Sequence, residues 1–157
     1  MNINPNQNNN LATDIITIYT DGACLGNPGK GGWAAILLYQ NHNKEIFGNE
    51  AHTTNNRMEL IAVIEALKTL KKPSKIIIYT DSTYVKDGIT SWLNKWKQNN
   101  WQTSKKSPVK NIDLWQILDS QSQKHQINWQ WVKAHNGNRY NEIVDQLARK
   151  SAKNAII

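Results

Sequence analysis

A single cysteine, Cys24, in 157 residues excludes an intramolecular disulfide, and four histidines without a second cysteine give no zinc-finger spacing. Long apolar runs are missing as well. The longest, Trp33 to Tyr39, has seven residues, far short of the roughly 20 that a membrane-spanning helix needs. The first ten residues, MNINPNQNNN, hold neither the basic nor the apolar stretch of an export signal. These absences predict a soluble, cytoplasmic protein with no membrane association. Acidic residues are scarce: 12 Asp and Glu stand against 19 Lys and Arg, a formal net charge of +7. Such an excess suits a polyanionic partner.

What is present excludes disorder as the overall state. Hydrophobic residues make up 39% of the chain, with seven Trp and five Tyr, too apolar and aromatic for a chain that cannot fold. A single domain is expected over residues 14–157. Residues 1–13, with six Asn in the first ten, have too little apolar surface to order themselves and are expected to form a flexible tail. From Asp14, DIITIYTD reads as a strand ending near Asp21, where Gly22, Gly26, Pro28 and Gly29 force a turn. GGWAAILLYQ and EIFGNEAH, separated by polar NHNK, read as an antiparallel hairpin. From about Asn55 to Leu70, the spacing of Leu60, Val63, Ile64 and Leu67 predicts a helix. KIIIYTD reads as a buried parallel strand, and residues 82–99 as two short helices broken at Gly88. A helix over Asp113 to Lys124, a strand INWQWV and a helix from about Asn138 to Lys153 follow. This order predicts an α/β fold: a five-stranded mixed sheet, antiparallel hairpin plus parallel strands, flanked by helices.

Residues 88–112 contain Lys95, Lys97, Lys105, Lys106, Lys110, Trp92, Trp96 and Trp101, and no acid. Cations interleaved with aromatics suit a nucleic-acid strand; the same pattern fits a solvated lysine face over packed tryptophans.

The chemistry-bearing feature is an internal echo. Ile18-Tyr19-Thr20-Asp21 closes the first predicted strand and Ile78-Tyr79-Thr80-Asp81 the fourth. If the two strands are parallel neighbours, about 4.8 Å apart, both carboxylates stand together at the carboxyl edge of the sheet, where open α/β folds place ligands. Each Asp also suits a strand-end turn or helix cap. Glu59 falls on an apolar helix face with Ala62, Val63, Ala66 and Leu70, where an ionised carboxylate requires a cation or compensating hydrogen bonds; alternatively, Asn56 and Glu59 form a capping box. Asp145 lies beside the stripe of Ile143, Val144, Leu147 and Ala148, with His135 ten residues earlier in the loop AHNGNRYN.

TDGACLGNPGKGGWA, TTNNRMEL, IYTDSTYV, WLNKWKQNNWQTSKKSPVKNIDLW and WVKAHNGNRYNEIVDQLA together resemble bacterial type 1 ribonuclease H, in order from about Ile15 to Ala152. The resemblance implies a monomeric endonuclease that hydrolyses the RNA strand of RNA/DNA hybrids with two Mg²⁺ ions, Mn²⁺ being a possible substitute, and leaves 3′-hydroxyl and 5′-phosphate ends. It implies that Asp21, Glu59, Asp81 and Asp145 are the metal-binding carboxylates and that His135 is a loop histidine assisting turnover. It also implies that Asn27 and Asn56 reach base edges, that Thr54, Asn55 and Arg57 take a DNA phosphate, and that Trp92 packs on a DNA sugar. Trp101, Lys97, Lys105 and Lys106 belong to the implied substrate-holding protrusion.

The carboxylate set suits hard, oxygen-seeking cations, and paired ions can activate a water and stabilise a leaving oxygen in phosphodiester hydrolysis. Setting those four acids aside leaves eight acids against 19 bases, a body of +11 around the anionic site. Three features depart from the family pattern. Thr83 stands where Gln is common, which predicts a missing or shortened minor-groove hydrogen bond, and Gln98, Asn99 and Gln102 stand at often cationic positions, which predicts a weaker grip. The Asn-rich tail has no counterpart in the family core. A phosphate-loop reading of GACLGNPGKGG fails, because Cys24 stands where the first glycine is required and Gly31 follows Lys30 in place of Ser or Thr. A non-catalytic hybrid-binding module on the same fold would be expected to lack a carboxylate, and all four are present.

Overall fold

The computed structural model describes residues 14–133 and 138–156; the predicted tail and His135 lie outside them. The described chain runs β1 (Ile16–Leu25), β2 (Gly29–Tyr39), β3 (His42–Thr53), α1 (Asn55–Thr69), β4 (Lys75–Thr80), α2 (Thr83–Asp87), a π-helical turn (Gly88–Trp92), α3 (Leu93–Gln98), α4 (Ile112–Ser122), β5 (Gln126–Trp131) and α5 (Arg139–Lys153). The five strands form one sheet in the order β3-β2-β1-β4-β5. β1 and β2, and β2 and β3, pair antiparallel, while β4 pairs parallel with both β1 and β5. The predicted mixed α/β sheet is the observed one.

The alternation of β1 explains the two layers. Ile18 packs with Leu60, Val63, Ile64 and Leu67 of α1 and with Trp115 of α4 on one face. Tyr19, one residue on, turns to the other face and packs with Val144 and Ala148 of α5, as a period of two requires. The Tyr19 ring stacks between Tyr79 of β4 and Tyr140 of α5, at centroid distances of 4.7 and 5.2 Å. The helix spacing read from the sequence is therefore the true buried stripe.

Two boundaries differ from expectation. β1 continues past Asp21 to Leu25, because Ala23, Cys24 and Leu25 pair with Gly32, Gly31 and Lys30 of β2. The polar segment NHNK is mostly strand: His42, Asn43 and Lys44 pair with Tyr39, Leu38 and Leu37, and only Gln40 and Asn41 turn, with Gln40 at φ 54°.

Gly88 does not break the helix as predicted. Its backbone is right-handed helical, φ −61° and ψ −47°, and α2 passes through the π-helical turn directly into α3. The absence of a side chain serves packing here: a Cβ on Gly88 would run into the six-membered ring of the fully buried Trp115.

Candidate active site

The register sets two carboxylates side by side. Ile18 pairs with Ile78 and Tyr19 with Tyr79 across the parallel β1–β4 ladder, so the echo in the sequence is an echo in space. Asp21 continues along β1, and Asp81 follows immediately after β4. A cavity of about 310 Å³ opens there, lined by Asp21, Glu59, Asp81 and Asp145 together with Asn55 and Asn56. Oxygen atoms of Asp21, Glu59 and Asp81 lie within 4.8 Å of one another. Asp145 faces the same cavity from α5, outside that tight trio, and its carboxylate meets Arg149 at 3.2 Å.

Glu59 reaches the trio because α1 packs directly on β1 at Gly22. A Cβ on Gly22 would stand 2.6 Å from the Glu59 nitrogen and 2.7 Å from the Met58 carbonyl carbon, closer than real contacts permit. The freed space lets the Gly22 N–H donate to both Asp21 Oδ1 and Glu59 Oε1, each at 2.9 Å. The capping-box alternative is overturned. Thr54 is the N-cap, accepting from the Arg57 N–H at 3.3 Å, and Glu59 lies beyond the first turn with its carboxylate on Gly22.

Burial and like charge dominate the electrostatics. Asp21 is pushed up to about 7, first by burial and then by the neighbouring Asp81 charge, with Asp145 adding to it. Glu59 is held well above the usual carboxylate range by complete burial and by Asp21. The second Glu59 oxygen, Oε2, is buried with no hydrogen-bond partner. An oxygen-only cluster whose members repel one another, with one oxygen left unsatisfied, matches the donor set that hard divalent cations take. The residues present therefore fit a divalent metal.

The surrounding contacts place the other predicted residues. Asn27 accepts the Asn55 N–H at 3.0 Å, tying the β1–β2 turn to the start of α1. Arg57 makes two parallel bonds to Asp113, at 3.0 and 2.8 Å, and a third to Asn111 at 3.2 Å. Its guanidinium is thus fixed in one plane. Trp92, Trp96 and Trp101 are partly buried against the core, with ring centroids 5.7 and 6.4 Å apart along the series, and Trp96 abuts Trp115 at 5.4 Å. The lysines above them are exposed, so packed tryptophans and a cationic surface coexist. Lys97 meets Asp119 at 3.1 Å, a partner outside its own acid-free segment, whereas Lys105 and Lys106 have no ion pair among the described residues.

Several contributors escaped the sequence reading. Tyr84 lines the cavity, and its hydroxyl accepts from Asn111 at 3.0 Å and from the Trp115 indole at 2.9 Å. The Trp131 indole donates to the Asp81 carbonyl at 3.3 Å, and the Lys86 ammonium lies 4.6 Å from the centre of its ring. Nothing local marks these residues, since each acts through a partner at least 27 positions away or across the sheet edge. Gly22 was legible only as a turn residue.

The RNase H family model matches residues 13–153. A Ribonuclease H from Wolbachia sp. subsp. Drosophila simulans is 60% identical over 136 residues, 87% of this chain and 94% of that protein. One from Ehrlichia chaffeensis is also 60% identical, covering 85% of this chain and 92% of that protein. Among solved structures, LC9-RNase H1, described as a type 1 RNase H with the type 2 active-site motif, superposes with a TM-score of 0.82 at 30% identity, covering 91% of this chain and 74% of that one. With the acidic cavity at the sheet edge and these matches over nearly its whole length, the chain belongs to the ribonuclease H family, the metal-dependent endonucleases that cut the RNA strand of RNA/DNA hybrids.

Proposed function

We propose that Asp21, Glu59, Asp81 and Asp145 jointly hold two Mg²⁺ ions, with Mn²⁺ as a possible substitute, and that the hybrid is cut to 3′-hydroxyl and 5′-phosphate ends. The buried, unpartnered Glu59 Oε2 carries this reading, because a cation supplies what the protein leaves out. Bound there, the ions supply Lewis acidity toward the attacking water and the leaving oxygen. The Gly22 N–H aims one oxygen each of Asp21 and Glu59 into the cavity. Arg57, held planar by Asp113 and Asn111, presents its remaining N–H to a DNA phosphate beside Thr54 and Asn55. Asn27 spends its carbonyl oxygen on Asn55, leaving its amide N–H for a base edge; Asn56 lines the cavity itself. Trp92 and Trp101 support the surface on which Lys105, Lys106 and Lys97 meet the backbone, with Trp92 against a DNA sugar.

No described helix is long and apolar enough to cross a membrane, and all four carboxylates come from one chain. The shared chain supports a monomer, with residues from 14 onward as the catalytic unit, and we take it to act in the cytoplasm. The test of the class is incubation with labelled hybrid, RNA duplex and DNA duplex, each with Mg²⁺ or chelator. Cutting of only the hybrid's RNA, only with metal, is expected; cleavage of either homoduplex at a similar rate would overturn it.

His135 is proposed as the proton carrier for turnover. His135→Ala should slow cleavage by about 10²- to 10⁴-fold, the usual contribution of general acid–base groups. An unchanged pH–rate profile would assign His135 no proton-transfer role.

The basic surface has a separate readout. Each lysine–phosphate pairing removed flattens the plot of log affinity against log salt by about 0.7 to 0.9. Lys105→Gln with Lys106→Gln should flatten it by about 1.5, and adding Lys97→Gln by less than one further pairing, because Lys97 already pairs with Asp119. The weakening should be equal across hybrid sequences, since phosphate contacts carry no base information. Binding measured with Ca²⁺ in place of Mg²⁺ checks this; an unaltered slope would remove these lysines from the interface.

A further inference from the structure

Within the tight carboxylate trio, Asp21 lies inside β1 and Glu59 inside α1, whereas Asp81 belongs to neither a strand nor a helix. It stands one residue past β4, beyond the paired residues on both sides: the ladder to β1 ends at Tyr79, and that to β5 ends where Thr80 pairs with Trp131. Off the ladder, the polar atoms of a peptide need other partners, and those partners decide where the side chain beside them points. Here side chains take both polar atoms of the Asp81–Ser82 peptide. The Asp81 carbonyl accepts the Trp131 indole N–H at 3.3 Å, and the Ser82 N–H donates to Thr80 Oγ1 at 3.1 Å. Ser82 then caps α2, its hydroxyl accepting the Val85 N–H at 3.1 Å. From α2 the chain of contacts returns to its start. Trp131 shares a face of β5 with Ile127 and Trp129, as a period of two requires, and Val85 of α2 belongs to the core on that face. The Lys86 ammonium of α2 lies 4.6 Å from the centre of the Trp131 ring.

We propose that Trp131, with its ring held by Lys86, is a positioning residue that aims Asp81 into the carboxylate cluster; the inference rests on the metal-holding role given above to Asp21, Glu59 and Asp81. The ring is 38% exposed, so burial alone does not fix its plane, and a cation over an aromatic face supplies an attraction that does. An indole nitrogen donates and never accepts. A ring held in this plane therefore has one polar task, and the Asp81 carbonyl receives it. Without that N–H the Asp81–Ser82 peptide can rotate, and the carboxylate attached to it leaves the arrangement in which three acids share a cation. Trp131 acts through the Asp81 backbone, so its loss should appear in the binding of the ion and not in the grip on the hybrid, which other residues make.

The test is Trp131→Phe, which keeps an aromatic ring beside Lys86 and removes only the N–H. Mg²⁺ affinity is read without catalysis, from the rise in melting temperature of the full chain as Mg²⁺ is added. It should weaken by about three- to tenfold, the usual worth of one hydrogen bond. Cleavage at low Mg²⁺ should fall by the same factor and return toward the natural rate as Mg²⁺ is raised, with KM for the hybrid unchanged. Lys86→Met should weaken Mg²⁺ binding by about twofold, at the low end of an exposed cation–π contact, and Lys86→Arg should restore it, since a guanidinium also stacks on indole. The sign is informative: by charge alone, removing a lysine near an acidic cluster would tighten a cation site. Unchanged or tighter Mg²⁺ binding in Lys86→Met would therefore overturn the part assigned to Lys86. A lower metal-free melting temperature in Trp131→Phe with natural Mg²⁺ affinity would make Trp131 a structural residue only and overturn the proposal. If the natural chain itself shows no Mg²⁺-dependent rise, the metal reading fails and this inference with it; a natural chain that shows the rise keeps the two failures apart.

Discussion

Asp21→Asn should abolish hybrid cleavage and, at the same time, raise the melting temperature of the metal-free protein. Metal ions contribute several kcal/mol of transition-state stabilisation, and each 1.36 kcal/mol is tenfold in rate, so the loss should be at least about 10³-fold. The gain in stability comes from the same carboxylate. Asp21 ionises at about 7 in the folded protein against 3.8 when unperturbed, a difference worth at most about 4 kcal/mol. The folded-state value is raised, so below the unfolded value both states hold the proton and nothing is lost. As pH rises from about 4 to about 7 the unfolded chain ionises first and stability falls; above the folded value the full penalty is present. A neutral amide removes it.

Metal-free melting curves for the natural chain should therefore drop across that window, while those of Asp21→Asn drop less. The difference should be absent near pH 4 and reach several degrees at pH 8, since 1 kcal/mol moves a domain of this size by about 2 to 4 °C. Adding Mg²⁺ at pH 8 should raise the melting temperature of the natural chain and leave that of the variant nearly fixed. Asp81→Asn should behave alike, because Asp81 is the largest charge acting on Asp21. Equal variant and natural curves at every pH would sink the account of the cluster as mutually repelling acids, and retained cleavage with Mg²⁺ would sink the metal assignment.

Gly22→Ala should damage both stability and catalysis without touching a titratable group. The added methyl group meets backbone atoms of Glu59 and Met58 at 2.6 and 2.7 Å, and backbone cannot swing aside as a flexible side chain can. α1 must move off β1. Overpacking of this kind costs about 1 to 3 kcal/mol, and a shift near 1 Å in a catalytic group costs on the order of 10² in rate. Gly88→Ala is the informative comparison, since its methyl group would press on Trp115, which does not itself line the carboxylate cavity. It should lower the melting temperature while leaving kcat of the folded fraction near its natural value. Equal loss of kcat in both variants would show that Gly22 acts through global stability and not by placing Glu59.

Much of this arrangement was legible in the order of residues. The paired IYTD segments announce neighbouring strands whose ends carry acids, and the apolar spacing of Leu60, Val63, Ile64 and Leu67 marks the face of α1 that is buried. Both are short-range patterns imposed by helix and strand periods. The five motifs similarly pointed to the family, whose model matches residues 13–153, and to four carboxylates, which line one cavity. Other features arise only when distant segments meet. Whether Glu59 caps a helix or joins a metal site depends on how closely α1 approaches Gly22, 37 residues away. The elevated ionisation of Asp21 comes from burial and from Asp81, on a different strand end. Gly88 reads as a breaker until Trp115 occupies the space beside it, and Lys97 reads as a free cation until α4 brings Asp119 to it. Periodicity and motif are properties of neighbouring residues along the chain; solvation, charge coupling and steric fit belong to neighbours in space, and these the tertiary structure decided.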